Sequence, residues 1–203
     1  GVRIDLKKRI PVAAGLGGGS ADAAAVLRGL PALWGLPALP PDRLQALACD
    51  LGADVPFCLL GGTARGRGIG ELLEPLPGLT GCDVLLVKPR ARLSTARVYE
   101  RLDLGRALHP EMDAVIEAIR RRDLLALGRL AGNVLEEPAR AEVPEIEEIK
   151  AALRASGAQV VLMTGSGPTV FGLTAEPGWA VRAARAMAKP GWTVIVTKTP
   201  WTD

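Results

Sequence analysis

The sequence predicts an α+β fold, and three observations predict it. The second half reads in order as a strand, helices, two strands around a glycine turn, a helix and a strand, an order that suggests a sandwich of the split βαβ kind. The first half instead opens on an alternating apolar–polar segment and a glycine-rich loop, followed by helices punctuated by proline. Between them, residues 63–82 are rich in Gly and Pro and contain a boundary near residues 77–82. One domain is therefore expected over residues 1–80 and a second over 81–203.

Taken in order, Val2, Ile4 and Leu6 alternate with Arg3, Asp5 and Lys7, which predicts a strand over residues 2–10. After the loop Gly15–Gly19, Ser20 is placed to cap a helix carrying Ala23, Ala24, Ala25, Val26, Leu27 and Leu30. Asp42 is expected to cap a second helix, with Gly52 as a left-handed residue at its end. The apolar run Val55 to Leu60 is expected to be a short strand, and residues 63–82 a loop. A strand is expected at Asp83–Lys88 and helices near 111–121 and 123–132. A further helix opens at Pro144 and ends at Gly157. Strands at Gln159–Met163 and Thr169–Leu173, a helix at 178–188 and a strand at Trp192–Lys198 complete the pattern.

Composition narrows the function classes. The 203 residues can bury a real core. Apolar residues make up 48% and charged residues 23%, and with only 3% aromatics that core must be aliphatic. So few aromatics also argue against a stacking platform for single-stranded nucleic acid. The net charge of +3 and the pI near 9.0 suit an anionic, phosphate-bearing substrate and require no nucleic-acid partner. Arg120, Arg121 and Arg122 read as a solvated helix face. Cys49, Cys58 and Cys82 form no C-x-x-C pair; Cys49 and Cys58 sit in apolar runs and read as reduced core residues of a cytoplasmic protein. His109, before Pro110, reads as a surface residue, and one histidine with scattered cysteines provides no metal cluster. No membrane-length apolar stretch and no secretory signal occurs.

The strongest local signal runs from Pro11 to Ala24. Four glycines let several backbone N–H groups point into one concavity, with no Cβ to hold a phosphate away. The helix start adds unpaired donors and the positive end of its dipole. The loop ends Gly-Gly-Ser, not Gly-Lys-Ser/Thr, so it is no Walker loop; the dinucleotide fingerprint does not fit either. The competing reading is a plain tight turn, which leaves the cost of four glycines unexplained. Asp54, between apolar neighbours, is either a cap-like acceptor or functional; spacing does not choose. Tyr99, the only tyrosine, reads from the residues alone as a helix-start aromatic packing on the core. The turn Thr164 to Pro168 is either an ordinary hairpin or a phosphate- or substrate-facing loop.

The run Gly-Leu-Gly-Gly-Gly-Ser-x-Asp-Ala-Ala at residues 15–24 resembles the second conserved motif of the GHMP kinases, and residues 163–169 resemble their third. Gly52-Ala53-Asp54-Val55-Pro56-Phe57 and Ser94-Thr95-x-x-Val98-Tyr99 resemble the diphosphocytidyl-methylerythritol kinases within that family. Gly68-Ile69-Gly70-Glu71 and Asn133 with Leu135-Glu136 also match, as structural segments.

The resemblance implies the two-lobed GHMP kinase fold: a ribosomal S5 domain 2-like N-terminal lobe, incomplete, and a ferredoxin-like C-terminal lobe. It implies that Ala13, Ala14, Gly15, Leu16, Gly17, Gly18, Gly19 and Ser20 wrap the phosphates of ATP. Ser20 would either touch Mg²⁺ or a phosphate, or serve only as an N-cap. Asp54 would accept the proton of the hydroxyl being phosphorylated. Tyr99 would stack on a cytosine ring, and Thr95 would either bond the substrate or cap a short helix. Gly165, Ser166 and Gly167 would line the substrate side.

The implied reaction is ATP-dependent phosphorylation of the 2-hydroxyl of a diphosphocytidyl-methylerythritol, in isoprenoid precursor synthesis, by a monomer or homodimer in the cytoplasm. Another GHMP small-molecule kinase, or a nucleotide-binding fragment without catalysis, is the alternative. Family members carry a further N-terminal stretch with a lysine near the phosphate and an Asp-Gly-Tyr-His segment. The sequence opens mid-domain at Gly1 without these, so the chain alone is expected to show little kinase activity and an exposed sheet edge.

Overall fold

In the computed structural model, which describes residues 1–105 and 109–200, a four-stranded sheet organises the second half of the chain. Its strands are β3 (Asp83–Lys88), β4 (Val160–Met163), β5 (Val170–Thr174) and β6 (Thr193–Lys198), in the order β4-β5-β3-β6. All neighbours are antiparallel, with Leu85 opposite Gly172 on one side and Val196 on the other. With helices between β3 and β4 and between β5 and β6, this is the ferredoxin-like order of a split βαβ unit.

Side chains alternate across β3, and both faces are covered. Leu85 and Val87, fully buried, pack with Ile146, Ile149 and Leu153 of α8 (Glu145–Ala155) and with Trp179, Ala180 and Ala183 of α9 (Trp179–Ala186). Val84 faces the other way. It meets Ala118 of α5 (Met112–Arg120) and Leu124 and Leu127 of α6 (Leu124–Leu130). Burying each such aliphatic side chain contributes about 1.5–3 kcal/mol, which holds the sheet as a rigid base. Gly172 is required at its centre, because a Cβ there would press into Trp179, Ala158 and Leu153.

The first half is helical. In sequence order its elements are α1 (Gly18–Leu33), α2 (Pro41–Leu51) and α3 (Val55–Leu60), then a hairpin of β1 (Thr63–Arg67) and β2 (Leu72–Leu76). Ala24, Ala48 and Val55, one from each helix, form a small core. Two short helices belong to the second half, α4 (Thr95–Glu100) and α7 (Glu136–Glu142).

Several expectations need correction. Residues 2–10 form no strand: Val2, Ile4 and Leu6 are exposed, and among the described residues no strand lies beside them to take their hydrogen bonds. An alternating segment becomes a strand only when a partner accepts its backbone; the expected sheet edge is therefore an unpaired segment here. Val55–Leu60 is a helix. Pro56 sits in its first turn, where no N–H is needed, and Gly61 N donates to Phe57 O at 2.8 Å. Short apolar runs carry no period that separates strand from helix.

The expected loop after Gly62 contains the hairpin, whose alternation was diluted by Gly66 and Pro75. Gly68 and Gly70 turn it with positive φ, and Gln45 Nε2 ties it to α2 by donating to Glu71 O at 3.0 Å. Ser20 lies inside α1 and Asp42 inside the first turn of α2. Gly17 and Pro40 occupy the cap positions, with no side-chain cap bond in either helix. Gly52 ends α2 with φ 158° and ψ 151°, a glycine-favouring conformation outside the left-handed helical region, and Cys49 of the same helix is exposed and not in the core.

Candidate functional site

Two glycine turns, distant in sequence, meet at the site. The first leads into α1 through positive φ at Ala13 (51°), Gly15 (69°) and Gly17 (63°). These values turn the chain sharply before the helix begins, and they favour glycine. The first turn of α1 has neither a side-chain cap nor a carboxylate. Its leading N–H groups are thus available to a ligand, at the positive end of a 16-residue helix. The second turn joins β4 to β5. There Thr164 N donates to Thr169 O at 2.9 Å and Gly167 N to Thr164 O at 2.9 Å.

The two turns are locked together. Thr164 Oγ1 donates to Gly15 O at 2.7 Å. A Cβ on Gly15 would collide with the carbonyl oxygen of Thr164, and a Cβ on Gly165 would lie 3.1 Å from Gly15 O. Neither backbone could approach the other through a side chain. Behind the second turn, Asn133 Nδ2 donates to Met163 O at 2.9 Å and to Gly165 O at 2.8 Å, while its Oδ1 accepts from Leu135 N at 3.0 Å. Glu136 accepts from Met163 N at 2.6 Å and pairs with the buried Lys150. Asn133 and Glu136, read from the sequence as structural, brace this turn.

The cleft between the turns has a volume of about 420 Å³. Residues 13–20 form one wall, so Ala13, Ala14, Gly15, Leu16, Gly17, Gly18, Gly19 and Ser20 all face it. Gly165 and Ser166 line the opposite side, and Thr95 is joined to Ser166 by a 2.8 Å bond between their hydroxyls. Gly167 lies behind the lining and serves the turn. Asp54 also lines the cleft. It occupies the N-cap position of α3, yet its carboxylate makes no cap bond. That removes the cap-like reading and leaves an exposed carboxylate in the cleft. Nearby, burial first and the Asp54 charge second push the Cys58 thiol pKa up. Tyr99 projects from α4 at 58% exposure beside the fully buried Val98, so it is not a core aromatic; its ring is on the cleft wall.

The sequence reading missed Lys8. Its ammonium lines the cleft beside Gly18 and pairs with Asp22 of α1, adding a cation to the amides. Its position three residues before Pro11 was the available signal, hidden by its apparent place in an alternating strand. Among the described residues no group of three or more His, Cys, Asp or Glu could hold a metal ion, and no helix is long and apolar enough to cross a membrane. A larger, open groove of about 690 Å³ lies between α2, α3 and the hairpin, lined by Leu44, Leu59 and Leu72. It shares no lining residue with either glycine turn. The cleft is the better candidate because the convergent backbone donors, the carboxylate and the aromatic are all there.

The arrangement can cradle an anionic phosphate chain, set one carboxylate where an acceptor hydroxyl would enter, and offer a ring to a planar group. Known proteins resemble the chain over most of its length. The model of the GHMP kinases N terminal domain matches residues 1–62, and that of the GHMP kinases C terminal region matches residues 115–191. The 4-diphosphocytidyl-2-C-methyl-D-erythritol kinase of Geobacillus kaustophilus (strain HTA426) is 52% identical over 173 residues, 85% of this chain and 59% of the relative. That of Exiguobacterium sibiricum is 50% identical over 182 residues, 90% of this chain and 63% of the relative. The chain thus spans about three-fifths of the length of these relatives. A crystal structure of 4-(cytidine 5'-diphospho)-2C-methyl-D-erythritol kinase superposes with a TM-score of 0.78 at 40% identity, covering 95% of this chain and 68% of the other. Homoserine kinase from Cytophaga hutchinsonii superposes at 0.81 with 22% identity, covering 95% and 69%, a likeness of fold alone.

Proposed function

We propose that this chain, which belongs to the GHMP kinase family, is part of an enzyme that transfers the γ-phosphoryl group of ATP to the 2-hydroxyl of 4-diphosphocytidyl-2-C-methyl-D-erythritol. The observation that carries this reading is the meeting of four features in one cleft: the amide cradle of residues 13–20, the uncapped Asp54 carboxylate, the Thr95–Ser166 hydroxyl pair and the exposed Tyr99 ring. The identity of about 50% to relatives named for this reaction supports the choice of acceptor.

Phosphoryl transfer asks mostly for positioning and charge neutralisation. The N–H groups at the start of α1 and the Lys8 ammonium meet the negative charge of the phosphates. Asp54 orients the acceptor hydroxyl and takes its proton as the oxygen bonds to the γ-phosphorus, while the β–γ bridging oxygen leaves with ADP. Tyr99 stacks on the cytosine, and Thr95 and Ser166 bond the polar body of the acceptor. Mg²⁺ suits a site with few carboxylates, because it is commonly held by one or two carboxylates plus the nucleotide's own phosphates; bound there, it neutralises phosphate charge. Ser20 is the hydroxyl nearest the helix start that could reach it.

The test is transfer of labelled phosphate from ATP by the intact protein to three acceptors: the diphosphocytidyl alcohol, L-homoserine and mevalonate. Transfer to the first alone is expected. Preference for either of the others would overturn the acceptor, and no nucleotide-dependent transfer to any of them would overturn the reaction.

A further inference from the structure

Beside the cleft, and sharing Pro11 and Val12 with it, lies a second cavity of about 590 Å³. Its charged groups are all cations: Lys88, Arg90 and Arg92, from the segment that leaves β3. Among the described residues neither Arg90 nor Arg92 has an ion-pair partner. On the next turns, by contrast, Arg97 and Arg101 share Glu142 at 3.7 and 2.9 Å. Trp192 also lines it.

Three cations crowded without a counterion repel one another. The Lys88 pKa is lowered by burial first and by the Arg92 charge second. Lys88 Nζ is held at this spot by the carbonyls of Pro89 at 3.0 Å and Ala91 at 3.3 Å. The charged groups are all hydrogen-bond donors, so the complement is a compact anion with several acceptor oxygens. Water carries no charge to offset the three cations, whereas a compact anion does.

We propose that this cavity is a binding site for the phosphate or diphosphate group of a small molecule, separate from the cradle of residues 13–20. Arg90 and Arg92 grip the anion, and Lys88 neutralises it. The site does not depend on which alcohol the enzyme phosphorylates, so its failure and that of the proposed reaction are distinguishable.

The test uses the intact protein and inorganic pyrophosphate, followed by calorimetry with a non-hydrolysable ATP analogue saturating the glycine loop. Pyrophosphate is expected to bind with the analogue in place. The double variant Arg90→Ala/Arg92→Ala should weaken it by about 10-fold or more, the scale of a lost charge-assisted contact. Arg185→Ala, an exposed arginine on α9, should leave it unchanged. Loss of pyrophosphate binding once the analogue is bound would mean that the phosphates of the nucleotide's own cradle were being measured, and would overturn a separate site. Equal affinity in the double variant and the parent would overturn it too. A second measurement needs no variant: with the analogue bound, raising the salt should weaken pyrophosphate binding several-fold. An affinity indifferent to salt counts against the site.

Discussion

The hydroxyl of Thr164 donates a 2.7 Å hydrogen bond to the carbonyl of Gly15, across 149 residues of sequence. This bond sets the distance between the two glycine turns, so the geometry of the cleft depends on it. Thr164→Val keeps the shape and removes the donor. The expected result is a loss of about 1 kcal/mol of stability, the scale of a neutral hydrogen bond, together with a raised KM for ATP. Chemical denaturation and steady-state kinetics check the two parts; unchanged nucleotide kinetics would make the bond structural only.

Gly15→Ala attacks the same junction from the other side. It places a Cβ against the Thr164 carbonyl and forces a non-glycine residue to φ 69°. Backbone strain alone is expected to cost about 1–3 kcal/mol. The thermal shift produced by ATP should disappear, while Gly17→Ala, with open space around its Cβ, should retain part of it.

Asp54→Asn preserves size and removes the charge. Turnover should fall by roughly 10²-fold or more, with nucleotide affinity nearly intact. Near-normal turnover would take Asp54 out of the mechanism. The same variant has a readout that needs no catalysis. Because the Asp54 charge raises the Cys58 thiol pKa, removing that charge lowers it and enlarges the thiolate fraction near pH 8. Iodoacetamide should then label Cys58 faster in Asp54→Asn than in the parent. In both proteins the exposed Cys49 is the internal reference.

Tyr99→Ala should leave stability within about 0.5 kcal/mol, since the ring is largely exposed. The KM for a cytidine-bearing acceptor should rise by about 10-fold or more, the scale of one base–aromatic stack. Tyr99→Phe should restore it, because stacking needs the ring and not the hydroxyl. Equal losses in both variants would point to the hydroxyl instead.

Asn133→Ala removes three hydrogen bonds that hold the end of β4 and the second glycine turn. A loss of about 1–3 kcal/mol is expected from the unpaired carbonyls left behind. Hydrogen exchange should report it locally, as faster exchange at residues 163–167 than in the helices of the far half.

Most residues that line the cleft were legible in the sequence. Four glycines before a helix, a carboxylate between apolar neighbours and a lone tyrosine after Ser-Thr each have a short-range signature, because backbone freedom and side-chain type act within a few residues. The ferredoxin-like half was legible for a related reason: β3 to β6 are strongly apolar and bounded by turn residues, and they occupy the expected positions within a residue or two. Residues 106–108 and 201–203 lie outside the described residues.

What the sequence by itself determined was therefore the periodicity of that core and the permissive backbone of the two turns. Tertiary structure alone decided whether Val55–Leu60 would be helix or strand, because a six-residue apolar run takes the conformation its packing partners Ala24 and Ala48 accept. It alone left residues 2–10 unpaired and brought Lys8 to the cleft, since a strand exists only through its neighbour's hydrogen bonds. It alone joined Gly15 to Thr164: short-range propensities carry no information about contacts between distant segments, which packing and hydrogen bonding select only when the whole chain has folded.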